Sequence, residues 1–324
     1  MKMFMATKAN LISSGSNNGV RMHAKETGEN LFLIDLETGG FKNLIASYVL
    51  KGAKAIIIEA GPSSSVSNLL SGLKELNIKI EDVTFVAVSH VHIDHAGGVG
   101  ALMKFLPNAR VIVHPRGEPH MVNPEKLWLQ SKEVLGDLAE IYGAPEPVAK
   151  DRIIAAADDA IFDVGNNVRL KAVETLGHAS HHLSYYDFLN NGVFPGDAAG
   201  IYISEFDLVI PTSPPPFHPN IALASLDKLA SLRPNALYYS HFGKAMHAAK
   251  RLKNYAQQIK LWAKIAEEGV RNKQSPEAIR ERIFSEDKVM RRAALYLRSH
   301  PILMKTVIEN SVQGFIDSAE KSRV

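Results

Sequence analysis

The chain has 324 residues, 46% of them hydrophobic and 22% charged, so it can bury a large core and is not a disordered polymer. It contains no cysteine. That excludes disulfides, thiolate-ligated clusters and cysteine nucleophiles, and any metal site must be built from His, Asp or Glu. The net charge of +3 is unevenly placed: residues 245–324 carry 16 Lys and Arg against 9 Asp and Glu, a net of +7 that leaves −4 for the rest. Such a basic tail suits a solvated helical face, and is compatible with an anionic small-molecule substrate.

Residues 1–29 read as an N-terminal extension with no apolar run suggesting a signal peptide. No stretch reaches the ~18 to 20 apolar residues of a membrane-spanning helix, so a cytoplasmic protein without a membrane partner is expected. Strands are predicted at Leu31–Asp35, Ile45–Val49 and Ala55–Glu59, short apolar runs separated by turn residues. Val66–Leu76 has helical spacing through Val66, Leu69, Leu70 and Leu73. Val83–Val88 is continuously apolar, as in a strand buried on both faces, and Arg110–Val113 reads as another strand.

Residues 118–149 break this rhythm. Leu127, Trp128, Val134, Leu135, Leu138 and Ile141 recur at helical spacing between two proline-containing stretches, predicting a helical insertion over the body that acts as a lid. Strands resume at Arg152–Ala155, Val168–Val173, Leu183–Asp187, Gly192–Pro195 and Ala236–Ser240, with a helix at Ile221–Ser231. From Ala245 the pattern is helical: Leu252, Tyr255, Ile259, Trp262 and Ile265 form one apolar stripe. Ser275-Pro276 is a helix start, and helices follow at Val289–Leu297 and Ile302–Ile316. This stripe would pack on the chain's own body or make a homodimer with a second copy.

The segment Ser89-His-Val-His-Ile-Asp-His-Ala-Gly-Gly98 follows directly on the buried strand. Alternate residues of an extended segment share a side, so His90 and His92 can grip one ion. Asp94 and His95 lie beyond, where the chain turns towards a helix near Ala96, and can face a second ion. Imidazole and carboxylate suit zinc, iron or manganese.

This motif resembles the central His-x-His-x-Asp-His of the metallo-β-lactamase superfamily. Three further motifs resemble those of the family, in family order: Thr175-Leu-Gly-His178, Phe194-Pro-Gly-Asp197 and Tyr239-Ser-His241-Phe-Gly243. The resemblance implies that His90, His92 and His178 hold one metal, that Asp94, His95 and His241 hold a second, and that Asp197 bridges them. It implies an α/β fold, the four-layer αβ/βα sandwich. The catalytic domain would span 30–244, with the helical lid at 118–149 and an all-helical region at 245–324. Two divalent ions, zinc by default, would hold a water between them and lower its pKa towards neutrality, with Asp94 and Asp197 as the catalytic carboxylates.

His114, His120, His181 and His182 lie near these motifs without being assigned as ligands. One of the pair His181 and His182 is expected to support the ligand shell. Tyr202 is the candidate phenol for stabilising an oxyanion, by resemblance to the lactonases of the superfamily. The helical tail, with Arg251, Lys253, Lys260 and Lys264 on its first helix, resembles that of the glyoxalase II-type thioesterases. Ester or thioester hydrolysis is therefore the expected reaction. Lactone hydrolysis and phosphodiester cleavage are the alternatives, with a persulfide dioxygenase-type redox reaction behind them. The acidic body speaks against a nucleic-acid partner.

Overall fold

The computed structural model describes residues 23–322. Its first sheet runs in sequence order: β1 (Ala24–Gly28), β2 (Leu31–Asp35), β3 (Ala46–Lys51), β4 (Ala55–Ile58), β5 (Val83–Ala87), β6 (Arg110–Val113) and β7 (Ile153–Ala155). Strands β1 to β4 pair antiparallel and β4 to β7 parallel. The second sheet contains β8 (Ile161–Asp163), β9 (Arg169–Glu174), β10 (Leu183–Asp187), β11 (Gly192–Phe194), β14 (Ala236–Tyr239) and β15 (Gly243–Met246). Its order is β15-β14-β11-β10-β9-β8. A separate hairpin joins β12 (Ile201–Ile203) to β13 (Leu208–Ile210).

The central strands bury both faces, and their period of two sorts side chains into different layers. In β4, Ile56 and Ile58 face the second sheet, whereas Ala55 and Ile57 face outward to helices. In β14, Ala236 and Tyr238 enter the core between the sheets, and Leu237 and Tyr239 enter the opposite layer. Tyr48 packs edge-on against Phe194 and Tyr238 across the inter-sheet layer, with centroids 5.1 and 5.8 Å apart.

Helices α1 (Val66–Glu75) and α2 (Val99–Met103) cover the first sheet. Three short helices form the insertion: α3 (Glu118–Val122), α4 (Glu125–Leu135) and α5 (Asp137–Tyr142). The second sheet is covered by α6 (Pro219–Ser231) and by the tail: α7 (Ala248–Arg271), α8 (Pro276–Glu286), α9 (Lys288–Ser299), a π-helix at Leu303–Glu309 and α10 (Asn310–Lys321). Ser275 caps α8 as its sequence predicts, its Oγ accepting from the Ala278 amide at 3.3 Å. The result is the expected sandwich of two sheets with helices on each outer side.

Several expectations change in detail. The first sheet begins at Ala24, inside the segment read as an extension, because β1 pairs with β2. The short strands β8, β12, β13 and β15 were not legible. The predicted helix Ile302–Ile316 is a π-helix followed by an α-helix, and the helix near Ala96 starts only at Val99. The stripe Leu252, Tyr255, Ile259, Trp262 and Ile265 is fully buried against this chain's own second sheet and α6, so it presents no face to a second copy. Among the described residues no helix is long and apolar enough to cross a membrane.

Candidate metal centre

The motif residues converge where strands of both sheets end. His90, His92, Asp94 and His95 follow β5, His178 lies between β9 and β10, Asp197 follows β11 and His241 follows β14. The Leu183 amide donates to the Ser89 carbonyl at 2.7 Å, joining the two sheets beside the motif. Past His92 the chain turns at once, with the His95 and Ala96 amides both donating to the His92 carbonyl. That turn sends Asp94 and His95 to the other side of the cluster. Asp197 is delivered by a tight turn at Gly196, whose φ is +52° and where a Cβ would meet Ser89 and the His182 ring at 2.6 to 2.7 Å.

The seven side chains form two groups. His92 Nδ1 is 2.8 Å from His90 Nε2 and 3.2 Å from His178 Nε2. His241 Nε2 is 3.2 Å from His95 Nε2 and 3.4 Å from Asp94 Oδ2. Asp197 lies between them: Oδ2 is 3.5 Å from His178 Nε2 and Oδ1 is 3.3 Å from His95 Nε2. The seven predicted residues are thus brought together, in overlapping groups able to hold a metal ion: His90, His92 and His178; His90, His95 and Asp197; and Asp94, His95 and His241.

The donor chemistry fits cations. Three ring nitrogens that converge on one point cannot all satisfy one another by hydrogen bonding, because one N–H can serve a neighbouring bare nitrogen but two bare nitrogens face each other with only lone pairs. Asp197 Oδ1 is buried and accepts no hydrogen bond among the described residues. Positive charge at both foci resolves these clashes, and imidazole with carboxylate is the ligand set of divalent transition metals.

The remaining atoms of the cluster are held from behind. His178 Nδ1 donates to the Thr212 carbonyl at 2.9 Å, and His241 Nδ1 to the Leu44 carbonyl at 3.0 Å. These bonds turn each Nε2 lone pair towards the cluster. His90 Nδ1 meets Ser89 Oγ at 2.9 Å, and His95 Nδ1 faces Glu59 Oε1 at 3.3 Å. Glu59 is buried at the end of β4, and its carboxylate also accepts from Ser240 Oγ.

His182 is the supporting member of its pair. Its Nε2 accepts from the Asp197 amide at 3.2 Å, while Nδ1 donates to Thr175 Oγ1 at 2.9 Å. Thr175 in turn donates to Ser184, whose hydroxyl donates to the Pro195 carbonyl. Each donor has one acceptor, so this relay fixes the ring's tautomer. His181 instead lines the cavity in front of the cluster, as does His120. His114 is a staple at the end of β6, donating to Glu174 and accepting from the Arg116 amide.

Electrostatics divides the rings into two classes. Burial, and then neighbouring rings, holds His90 well below the ordinary imidazole range and pushes His92 down to about 3. These rings are neutral, as ligation requires. Burial also opposes charge on His95 and His241, but the carboxylates of Asp197 and Asp94 outweigh it and raise both. Burial likewise acts to raise Asp94, yet His95 and His241 hold it below the usual carboxylate range.

A cavity of about 570 Å³ opens in front of the cluster. Tyr202 does not line it, which corrects the expectation for that residue. Its ring stacks on Tyr239, and its hydroxyl donates to Asp207 at 2.7 Å, under the Arg251 guanidinium. Only its backbone serves the site, by pairing with His241 and Phe242. The phenol that does line the cavity is Tyr142, at the end of α5 in the insertion. Its hydroxyl has no hydrogen-bond partner among the described residues. Burial raises its pKa well above the ordinary phenol value, and the negative charges of Asp94 and Asp197 raise it further.

The sequence profile of the metallo-beta-lactamase superfamily matches residues 42–241, and the chain belongs to that superfamily, most of whose members are metal-dependent hydrolases. It is 31% identical to the metallo-beta-lactamase fold-containing protein ST1585 of Sulfurisphaera tokodaii over 63% of this chain and 74% of that one. The crystal structure of ST1585 superposes with a TM-score of 0.60, at 28% identity, over 70% of this chain and 85% of that chain. The probable metallo-hydrolase YqjP of Bacillus subtilis is 28% identical over 53% of this chain and 57% of its own. The N-acyl homoserine lactonase AttM of Agrobacterium fabrum is 29% identical over 37% of this chain and 41% of its own.

Proposed function

We propose that this chain is a dinuclear metal-dependent hydrolase of a carboxylic ester or thioester. The observation that carries the reading is the placement of Asp197, whose two oxygens face two separate ligand groups while Oδ1 lacks any other partner. His90, His92 and His178 would hold one cation, Asp94, His95 and His241 the other, with zinc the default and iron or manganese accepted by the same donors. Cations so held would polarise a carbonyl and bring the pKa of water towards neutrality.

The chain's own groups then divide the work. Asp197, buried and ionised, orients the attacking water through one oxygen. Both carboxylates line the cavity, and the Asp94 side chain, 24% exposed against 6% for Asp197, is the more accessible one for passing the water's proton on to solvent. Tyr142 stays protonated at neutral pH and donates from the lid towards the oxyanion, the role expected of Tyr202.

Similarity to AttM favours a lactone as the second reading, since a lactone is a cyclic ester attacked in the same way. The test is metal analysis of the purified protein, followed by thioester, ester, lactone and phosphodiester substrates with each metal. Selective turnover of esters, thioesters or lactones supports the reading. Selective phosphodiester cleavage, or oxygen uptake with a persulfide, overturns it.

A further inference from the structure

The cavity is walled by three parts of the chain distant in sequence. Val91 and Ile93, which alternate with the ligands of the central motif, form its floor with Leu176 and Ile201. Leu127, Val134 and Leu135 come from α4 of the insertion, and Ile302, Leu303 and Val307 from the tail. The π-helix presents Leu303, Thr306 and Val307 to the cavity and α10 adds Asn310, so the tail completes the chamber rather than standing beside it.

Charge is scarce on these walls. Apart from Asp94 and Asp197, no Asp or Glu lines the chamber among the described residues, and Arg116 is its only Lys or Arg. Arg116 is exposed and donates to the Ser180 carbonyl. Lys253, Lys260 and Lys264, the tail residues expected to favour an anionic substrate, do not line it. Two large apolar side chains stand exposed on the walls, Val134 at 61% and Ile221 at 44%. Solvent-facing apolar groups that converge on one cavity mark the surface a guest covers.

We infer that the chamber between the insertion and the tail is an acyl-binding site, and that the substrate carries an uncharged, apolar acyl chain extending from the metal centre to Leu303 and Val307. This rests on the hydrolase reading for the reaction, but binding tests it separately. An apolar chain leaving the scissile carbonyl would run between α4 and the π-helix, displacing water from the apolar side chains of Leu127, Val134, Leu135, Leu303 and Val307. An acyl chain carrying a second carboxylate would leave that charge beside Leu303 and Val307 with only the neutral Thr306 and Asn310 near it and no Lys or Arg of the tail in the lining, a costly burial.

The experiment has two arms on the metal-loaded protein. In the first, straight-chain alcohols from butanol to decanol are titrated calorimetrically. Affinity is expected to rise about fourfold per methylene, and then to level off as the chain reaches the tail. In the second, esters and thioesters from acetyl to decanoyl are compared in wild type, Val307→Trp and Val307→Ala. Val307 is only partly buried, so both variants are expected to fold. Val307→Trp should shorten the preferred chain for both binding and turnover, and Val307→Ala should not. Length-dependent alcohol binding with no turnover of any ester would keep the chamber and sink the hydrolase reading. Turnover indifferent to chain length, with flat alcohol affinity, would do the reverse. Preference for acyl groups ending in a second carboxylate would also overturn the inference.

Discussion

At the scale of single residues, the seven side chains of the cluster were legible because their chemistry restricts both residue type and spacing. Four donors within six positions after an apolar strand have few other uses. Glu59 and Tyr142 were not legible and His182 only as one of a pair, since what each side chain faces is supplied by folding alone. Glu59 looks like the polar end of a strand until it meets His95. Tyr142 reads as one more apolar position of a lid helix. Tyr142→Phe keeps the ring and removes only the donor, so kcat should fall about 100-fold with KM and metal content little changed. Unchanged kcat in a fully metallated variant would remove the phenol from the reaction. The raised pKa values of His95 and His241 carry a sign that can be tested as well. A cation must displace protons held on these rings, so its affinity should fall as the pH drops and its binding should release protons. Calorimetry in buffers of different ionisation enthalpy measures that release. Affinity independent of pH would contradict the assignment of these two rings as ligands.

At the scale of elements, long periodic segments were predicted closely, whereas of the three-residue strands β7 and β11 were found and β8, β12 and β13 were not. Such short strands are specified by their partners and carry too few residues to show a period. The tail's role at the site was equally invisible, because it acts through a loop. Ser311, at the start of α10, accepts from the Ser213 amide at 2.9 Å and donates to the Pro211 carbonyl at 3.2 Å. Gly314, one turn on, lets the helix touch the Ser213 carbonyl, where a Cβ would overlap it. Between these anchors lies Thr212, whose carbonyl orients His178. Ser311→Ala leaves a buried amide without its acceptor, at a cost of about 1–3 kcal/mol. It should also weaken metal affinity by up to about tenfold, through the orientation of His178. Ser299→Ala, which removes only a bond within an exposed helix end, is the matched control. If both variants bind metal as wild type does, the tail does not support the centre.

At the scale of the whole molecule, the question is whether the all-helical region at 245–324 is an appendage or half of a core. Trp262, Ile259, Ile265, Ile283, Leu297 and Phe315 are each no more than 1% exposed. They share one apolar layer with Val173, Val193 and Leu237 of the second sheet. Each buried side chain of this size contributes about 1.5–3 kcal/mol. A whole domain is stable by only about 5–15 kcal/mol. Removing everything after Met246 therefore forfeits more than the molecule has to lose, because it also strips the outer face of the second sheet. The truncated chain should be insoluble, or should keep far-UV but not near-UV circular dichroism and bind no metal cooperatively. A monodisperse fragment with native near-UV spectra would show the sandwich to be complete without its tail. In that case the cavity would lose its wall at Leu303 and Val307 while the seven ligands kept theirs, and acyl-chain selectivity would vanish before metal binding did.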